Sequence, residues 1–139
     1  METVKLFLDT NIVLDFYTGR LGNDDAQKIV TAGQDSRYEL CISMLTAINV
    51  LYVSGKYAPG LQASDIPKLF SILPMDYQQY CKALSLNIND FEDALQISCA
   101  RANGCRAIVT RDRALLNCGI SFPSILSPEE FLHRIGGTR

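Results

Sequence analysis

Four carboxylates stand where the chain changes character. Asp9 closes the apolar run Val4-Lys5-Leu6-Phe7-Leu8, Asp112 follows shortly after Ala107-Ile108-Val109, and Glu92-Asp93 open a strong helical pattern. Carboxylates gathered at one rim raise one another's pKa unless a cation neutralises them. An oxygen-only set of this kind suits a hard divalent ion, Mg2+ or Mn2+. An ion held there activates water and stabilises a departing phosphate oxygen, which is the chemistry of phosphodiester hydrolysis. Each acid alone has a plainer use. Asp9 and Asp112 can cap the helices that follow them, and Glu92 and Asp93 can complement a helix dipole. Asp9 fits its plain role least well, because an acid ending a buried strand is poorly solvated.

Short apolar strands alternate with longer helical patterns, which predicts an α/β fold with helices covering a central parallel sheet. Ligands of such sheets bind beyond the carboxyl ends of the strands, where Asp9 and Asp112 fall. Strands are expected at residues 4–8, 40–42, 107–109 and 124–126. Helices are expected at residues 11–17, from a cap at Asn23 or Asp24 through Ala32, and from a Ser43 cap to about Ser54. The third of these carries Leu45, Ile48, Leu51 and Tyr52 on one face. A further helix from Ser64 to about Leu73 is read from the spacing of Ile66, Leu69, Phe70 and Leu73. Others are expected from Tyr77 to Leu86 and from Asn89 to Asn103, with Gly104 as the stop. A last helix has Pro128 at its first position. Residues 1–135 form one domain in this reading, and residues 136–139 a flexible tail.

The chain has 139 residues, 47% of them hydrophobic and 20% charged, which fits one globular domain and argues against disorder. Its net charge of −2 excludes a protein that holds nucleic acid by a global positive field, but not a nuclease that needs carboxylates. The charge is uneven. Residues 1–100 hold 7 Lys and Arg against 12 Asp and Glu, whereas residues 101–139 hold 6 against 3. The five Cys include no CxxC pair and there is one His, so neither a zinc site nor a disulfide framework is expected. The opening Met-Glu-Thr-Val-Lys lacks the character of a signal peptide, and no apolar stretch approaches the roughly 18 residues of a membrane span. A cytoplasmic protein with no membrane partner is the expectation. A phosphatase built on a first-strand Asp needs a second Asp where Asn11 stands and a late lysine, and no lysine follows Lys82.

Four segments taken together resemble the motifs of PIN domains, in order and spacing. They are Leu8-Asp9-Thr10-Asn11-Ile12-Val13-Leu14, Ile42-Ser43-Met44-Leu45-Thr46-Ala47-Ile48-Asn49, Phe91-Glu92-Asp93-Ala94-Leu95-Gln96 and Ile108-Val109-Thr110-Arg111-Asp112. The resemblance covers almost the whole chain. It implies a three-layer α/β/α domain and a Mg2+- or Mn2+-dependent ribonuclease acting on RNA. It places Asp9, Asp93 and Asp112 at the acid positions, and Asn11 and Thr110 at polar positions that orient ligands or water. Many small members are VapC-type toxins, held inactive by a small antitoxin protein and often homodimeric. Tyr52, Tyr57, Phe70 and Tyr80 are the aromatic candidates for such a dimer face.

The second motif usually ends in Glu, and Asn49 stands there. An amide is neutral and offers one carbonyl oxygen, so it holds a hard cation more weakly. Either the site is weakened and the domain is an RNA-binding or protein-interaction module, or Glu92 supplies the missing charge. Compensation by Glu92 is favoured, since Phe-Glu-Asp-Ala-Leu-Gln with Asn in the second motif resembles a PIN subgroup in which both occur. Arg111 and Arg113 flank Asp112 and are candidates to contact RNA phosphates.

Overall fold

Strand β1 (Val4–Leu8) is central because both of its faces are apolar. Leu6 and Leu8 point to one side and Phe7 to the other, the two-residue alternation of a strand buried on both faces. The same alternation recurs in β2 (Tyr38–Ser43), where Leu40 and Ile42 oppose Cys41, and in β4 (Ala107–Val109), where Ala107 and Val109 oppose Ile108. With β3 (Ser71–Leu73) and β5 (Ser124–Leu126) these strands form one parallel sheet in the order β3-β2-β1-β4-β5. The computed structural model describes residues 3–35 and 37–137, without the side chain of Tyr57.

Helices cover both faces, giving the three-layer α/β/α arrangement. Helices α1 (Thr10–Thr18), α2 (Asn23–Ala32) and α3 (Met44–Tyr57) bury Ile12, Val13, Ile29, Ala47 and Val50 against Leu6 and Leu8. On the opposite face, α5 (Phe91–Ala102) and α6 (Arg113–Leu116) bury Ile97 and Leu115 against Phe7 and Ile108. Helix α4 (Tyr77–Leu84) packs against α5, and α7 (Pro128–Gly137) contacts α2 and β5. The chain winds from β1 outward to β3, then crosses to the other side of β1 for β4 and β5. The reversal of winding lies between β1 and β4, so the crevice that such sheets use for ligands opens at the ends of those two strands.

Several local expectations change. The helix expected from Ser64 to Leu73 is a 3-10 segment, Ala63–Lys68, followed by strand β3. Pro67 lacks an N–H and cannot sustain an α-helix, and Ser71-Ile72-Leu73 pairs with β2 instead. Neither Asn23 nor Asp24 caps α2. Gly22 occupies the cap, and Asn23 donates its amide to the Asp15 carbonyl at 2.8 Å. Ser43 does cap α3, accepting from Thr46 N at 3.0 Å, but the helix continues to Tyr57 and its buried residues are Thr46, Ala47, Val50 and Ser54. Ile48 and Tyr52 lie outside, at 58% and 77% exposure. Helix α4 stops at Leu84, with Ser85 as its cap, rather than at Leu86. Helix α7 includes Gly136 and Gly137, past the expected boundary, and residues 138–139 lie outside those described. Gly104 is the expected stop after α5, at φ +75°, a left-handed conformation that glycine adopts without strain.

Candidate active site

Asp9 leaves β1 directly into α1. It is 6% exposed, so its carboxylate must find partners inside the protein. Oδ1 accepts from Thr10 N at 2.9 Å and from Gln96 Nε2 at 3.5 Å. Oδ2 accepts from the Thr110 hydroxyl at 2.7 Å and from Asn11 Nδ2 at 3.1 Å. Every one of these donors is neutral. Burial raises the pKa of Asp9, the hydrogen bonds from Thr110, Thr10 and Gln96 oppose that rise, and the charge of Asp112 adds to it; the net direction is upward.

The ends of β1 and β4 are tied together by the two polar residues expected there. Thr110 is fully buried, donates to Asp9, and accepts from Asp112 N at 3.0 Å, which fixes the turn that carries Asp112. Asn11 donates to Asp9 and to the Thr110 hydroxyl, and its Oδ1 accepts from Arg111 N at 3.1 Å. Asp112 caps α6, accepting from Ala114 N at 2.9 Å. Asp90 caps α5 by accepting from the N–H groups of Glu92 and Asp93, which sets that first turn over the crevice.

Asp93 feels the whole group. Its pKa is pushed up to about 7, first by burial and then by the charges of Asp90, Asp9, Asp112 and Glu92. Glu92 is exposed, and its pKa is raised by partial burial and by the charges of Asp90 and Asp9. The expected acids therefore share one electrostatic neighbourhood. Among the described residues, no Lys, Arg or His forms an ion pair with Asp9, Glu92, Asp93 or Asp112.

This donor set fits a divalent cation by its chemistry: oxygen ligands, uncompensated negative charge, and a buried acceptor, Gln96 Oε1, with no donor. The arrangement is not a closed cage. Among the described residues, no three His, Cys, Asp or Glu side chains are placed so that they could hold a metal ion. Asp9 in particular has both oxygens engaged by neutral donors. The fit is one of charge and ligand type, with the acids ranged around the crevice rather than converged on a point.

Helix α3 contributes differently from the expectation. Asn49 is half-buried, and its amide makes no hydrogen bond to the acids. The α3 residue in the network is Thr46, whose hydroxyl accepts from Gln96 Nε2 at 2.8 Å and pairs with Thr10 Oγ1 at 2.8 Å and Ser43 Oγ at 3.2 Å. Gln96 thus bridges Asp9 and Thr46. Reasoning from sequence missed both residues. A signal for Gln96 existed, since it lies one helical turn after Asp93 on the same face.

The two arginines separate. Arg111 is committed to Asp15, with Nε and Nη2 on the two carboxylate oxygens at 2.5 and 2.9 Å, rather than to the crevice. Asp15 is fully buried, and Arg20 adds a longer contact at 3.5 Å. Gly22 is needed beside this pair, because a Cβ there would overlap the Asp15 carboxylate. Arg113 is exposed at the start of α6 and lines a recess of about 620 Å3 that Asp25, Glu129 and Glu130 also face.

Comparison with known proteins agrees with this geometry. The family model described as PIN domain matches residues 5–114, a span that holds all four acids, Asn49 and the Thr46–Gln96 link. Ribonuclease VapC1 of Aquifex aeolicus (strain VF5) is 30% identical over 96% of this chain and 97% of its own length. A chain of a toxin–antitoxin complex from Klebsiella pneumoniae superposes with a TM-score of 0.69 at 20% identity, over 88% of this chain and 97% of that one. VapC20 of Mycobacterium tuberculosis, described as a sarcin-ricin loop cleaving toxin, gives 0.64 at 12% identity, over 83% and 95%. The five-stranded parallel sheet, the acids beyond β1 and β4 and these matches agree, and the chain belongs to the PIN domain family.

Proposed function

We propose that this chain is a divalent-metal-dependent endoribonuclease and the toxin of a type II toxin–antitoxin pair. The observation that carries the proposal is the uncompensated crevice: buried Asp9 has only neutral donors, and Asp93 is pushed up to about 7 by the acids around it. A binding-only surface gains nothing from carboxylates that repel one another. The relatives lend the substrate. The curated relative, alike over nearly its full length, is named a ribonuclease, and two fold neighbours are a chain of a toxin–antitoxin complex and a sarcin-ricin loop cleaving toxin.

By charge and ligand type, Asp9, Asp93 and Asp112, with Glu92, are the residues that would hold Mg2+ or Mn2+, which requires their side chains to draw together from the open arrangement. Bound there, the cation would polarise the phosphodiester and lower the pKa of a water. The remaining work belongs to the chain. Thr110, Asn11, Thr10 and Gln96 hold the Asp9 carboxylate in one orientation, and Thr110 also fixes the Asp112 turn. Glu92 offers the charge that Asn49 lacks. Arg113, exposed and directly after Asp112 in the chain, is the arginine assigned to substrate phosphate. Arg111 serves that role only indirectly, by bracing the turn before Asp112. The neutral Asn49 also supports a second reading, an RNA-binding or protein-interaction module without catalysis.

Cleavage of structured and single-stranded RNAs with Mn2+, Mg2+ or EDTA separates the two. Metal-dependent cutting, lost by a factor of about 10^2–10^3 in Asp9→Asn, is expected. No cutting in either metal, or equal cutting by wild type and variant, contradicts the nuclease reading. Full activity of Glu92→Gln contradicts compensation alone.

We also infer a homodimer through the apolar side chains that α3 leaves exposed, Met44, Ile48 and Tyr52. Of the aromatics named from sequence, Tyr52 is on this face, Tyr80 is exposed on α4 and Phe70 is buried at 3%. Tyr57 lies outside the described side chains. Light scattering at micromolar concentration is expected to give twice the chain mass, and a monomer mass would count against this face. Among the described residues no helix is long and apolar enough to cross a membrane.

A further inference from the structure

A recess of about 300 Å3 opens next to Asp93, between the loop leading into α5 and helix α6. That volume is at the small end of ligand sites, which run from about 300 to 1,000 Å3. Its walls combine two kinds of surface. Ile88 and Cys118 are half-buried and present apolar faces, and Ala114 adds a small one. Asn87, Asn89 and Asn117 supply three primary amides, each exposed and none bonded to another described residue through its side chain. Asn87 has φ +58°, a left-handed conformation that Asn tolerates better than most residues.

The chemistry of these walls selects a ligand class. No Lys, Arg or His lines the recess, and Asp90 and Asp93 form one side, so an anionic phosphate is disfavoured inside it. Amides offer paired donors and acceptors in a plane, and the apolar walls accept the face of a flat ring. A neutral heterocycle satisfies both. Sequence-specific RNA recognition works in this way, on unstacked bases of single strands whose edges are hydrogen-bonded. We propose that the recess is a nucleobase pocket, in which Asn87, Asn89 and Asn117 read a base next to the scissile phosphate of single-stranded RNA. This rests on the ribonuclease reading, and it adds a specificity determinant to the same crevice.

The test compares wild type with Asn87→Gly/Asn89→Ala/Asn117→Ala on a pool of randomised single-stranded RNA in Mn2+, reading base frequencies around each cut. Gly at position 87 keeps the left-handed turn while removing the amide. Wild type is expected to favour one base at a fixed position beside the cut by about tenfold, and the variant to lose that ratio. Wild-type cutting with no base preference, or a preference the variant retains, overturns the pocket and leaves the nuclease reading intact. If wild type cuts nothing in Mn2+ or Mg2+, the nuclease reading fails and binding decides the pocket. The four nucleoside 5′-monophosphates are then titrated into EDTA-treated protein while the side-chain amide 15N–1H signals are followed. Shifts of the Asn87, Asn89 and Asn117 amides that differ among the four bases support the pocket. Shifts of these amides that are equal for the four bases, shifts confined to side-chain amides outside the recess, or no shift, overturn it.

Discussion

Asp9 and Asp15 lie on the same strand-to-helix segment, both are buried, and they are treated in opposite ways. Asp15 receives a bidentate guanidinium from Arg111, a second from Arg20, and a glycine at position 22 that makes room for them. Asp9 receives four hydrogen bonds and no positive charge, while the charge of Asp112 acts against it. A buried acid with its cation built in is a structural device that closes α1 against the turn after β4. A buried acid kept among like charges stores a preference for a cation from outside. The fold thus compensates one carboxylate and leaves the other group open, at the point where the sheet reverses its winding.

The contrast can be broken from the structural side first. Arg111→Ala leaves Asp15 buried with only the longer Arg20 contact. Breaking a fully buried pair by removing one partner costs about 3–5 kcal/mol, and partial exposure of Arg111 reduces this to about 2–3 kcal/mol. A melting point lowered by on the order of 10 °C is expected from calorimetry. A loss of RNA binding without any loss of stability would reverse the roles assigned to the two arginines. Arg113→Ala touches the exposed guanidinium alone, so melting is expected to stay within about 2 °C. RNA affinity is expected to weaken modestly for all sequences alike, with the salt slope reduced by about one. An unchanged affinity and slope would remove Arg113 from the substrate path.

The sheet and the acid rim were legible in the sequence for a shared reason. Strands β1 and β4 are buried on both faces, so they read as apolar runs, broken only by Lys5 in β1, and an acid at the end of such a run stands out. Asp9 and Asp112 needed no further information to be placed at one rim. Strand β3 was not legible in the same way. Leu69, Phe70 and Leu73 satisfy helical spacing, and a three-residue strand offers too little pattern to compete. Pro67 was the available correction. The pairing of Arg111 with Asp15 joins residues 96 apart, and nothing local distinguishes it from a phosphate contact beside Asp112. Gln96 and Thr46 were missed because hydroxyl and amide residues reveal their partners only when helices pack. Ile48 and Tyr52 show the converse error, since an apolar stripe on α3 does not say which side meets the sheet.

The open group carries its own pH signature. Asp9, Glu92 and Asp93 all have folded-state pKa values above their ordinary ones, that of Asp93 reaching about 7. The folded protein then holds more protons than the unfolded chain between about pH 4 and 7, so its stability falls as pH rises through that window. Asp65 and Glu130 have lowered values and act in the opposite sense, but only in the range below the ordinary carboxylate pKa. A cation in the crevice removes the repulsion that develops as the acids ionise. The most direct measurement is therefore the melting temperature of wild type and Asp9→Asn at pH 5 and pH 8, each in EDTA and in Mn2+. In EDTA, wild type is expected to melt lower at pH 8 than at pH 5, and Mn2+ is expected to restore the difference, raising the midpoint far more at pH 8. Asp9→Asn should show a smaller fall and a smaller response. A midpoint in EDTA that does not fall toward pH 8, or a Mn2+ shift equal at both pH values and in both proteins, would contradict an acid group left open for a divalent cation.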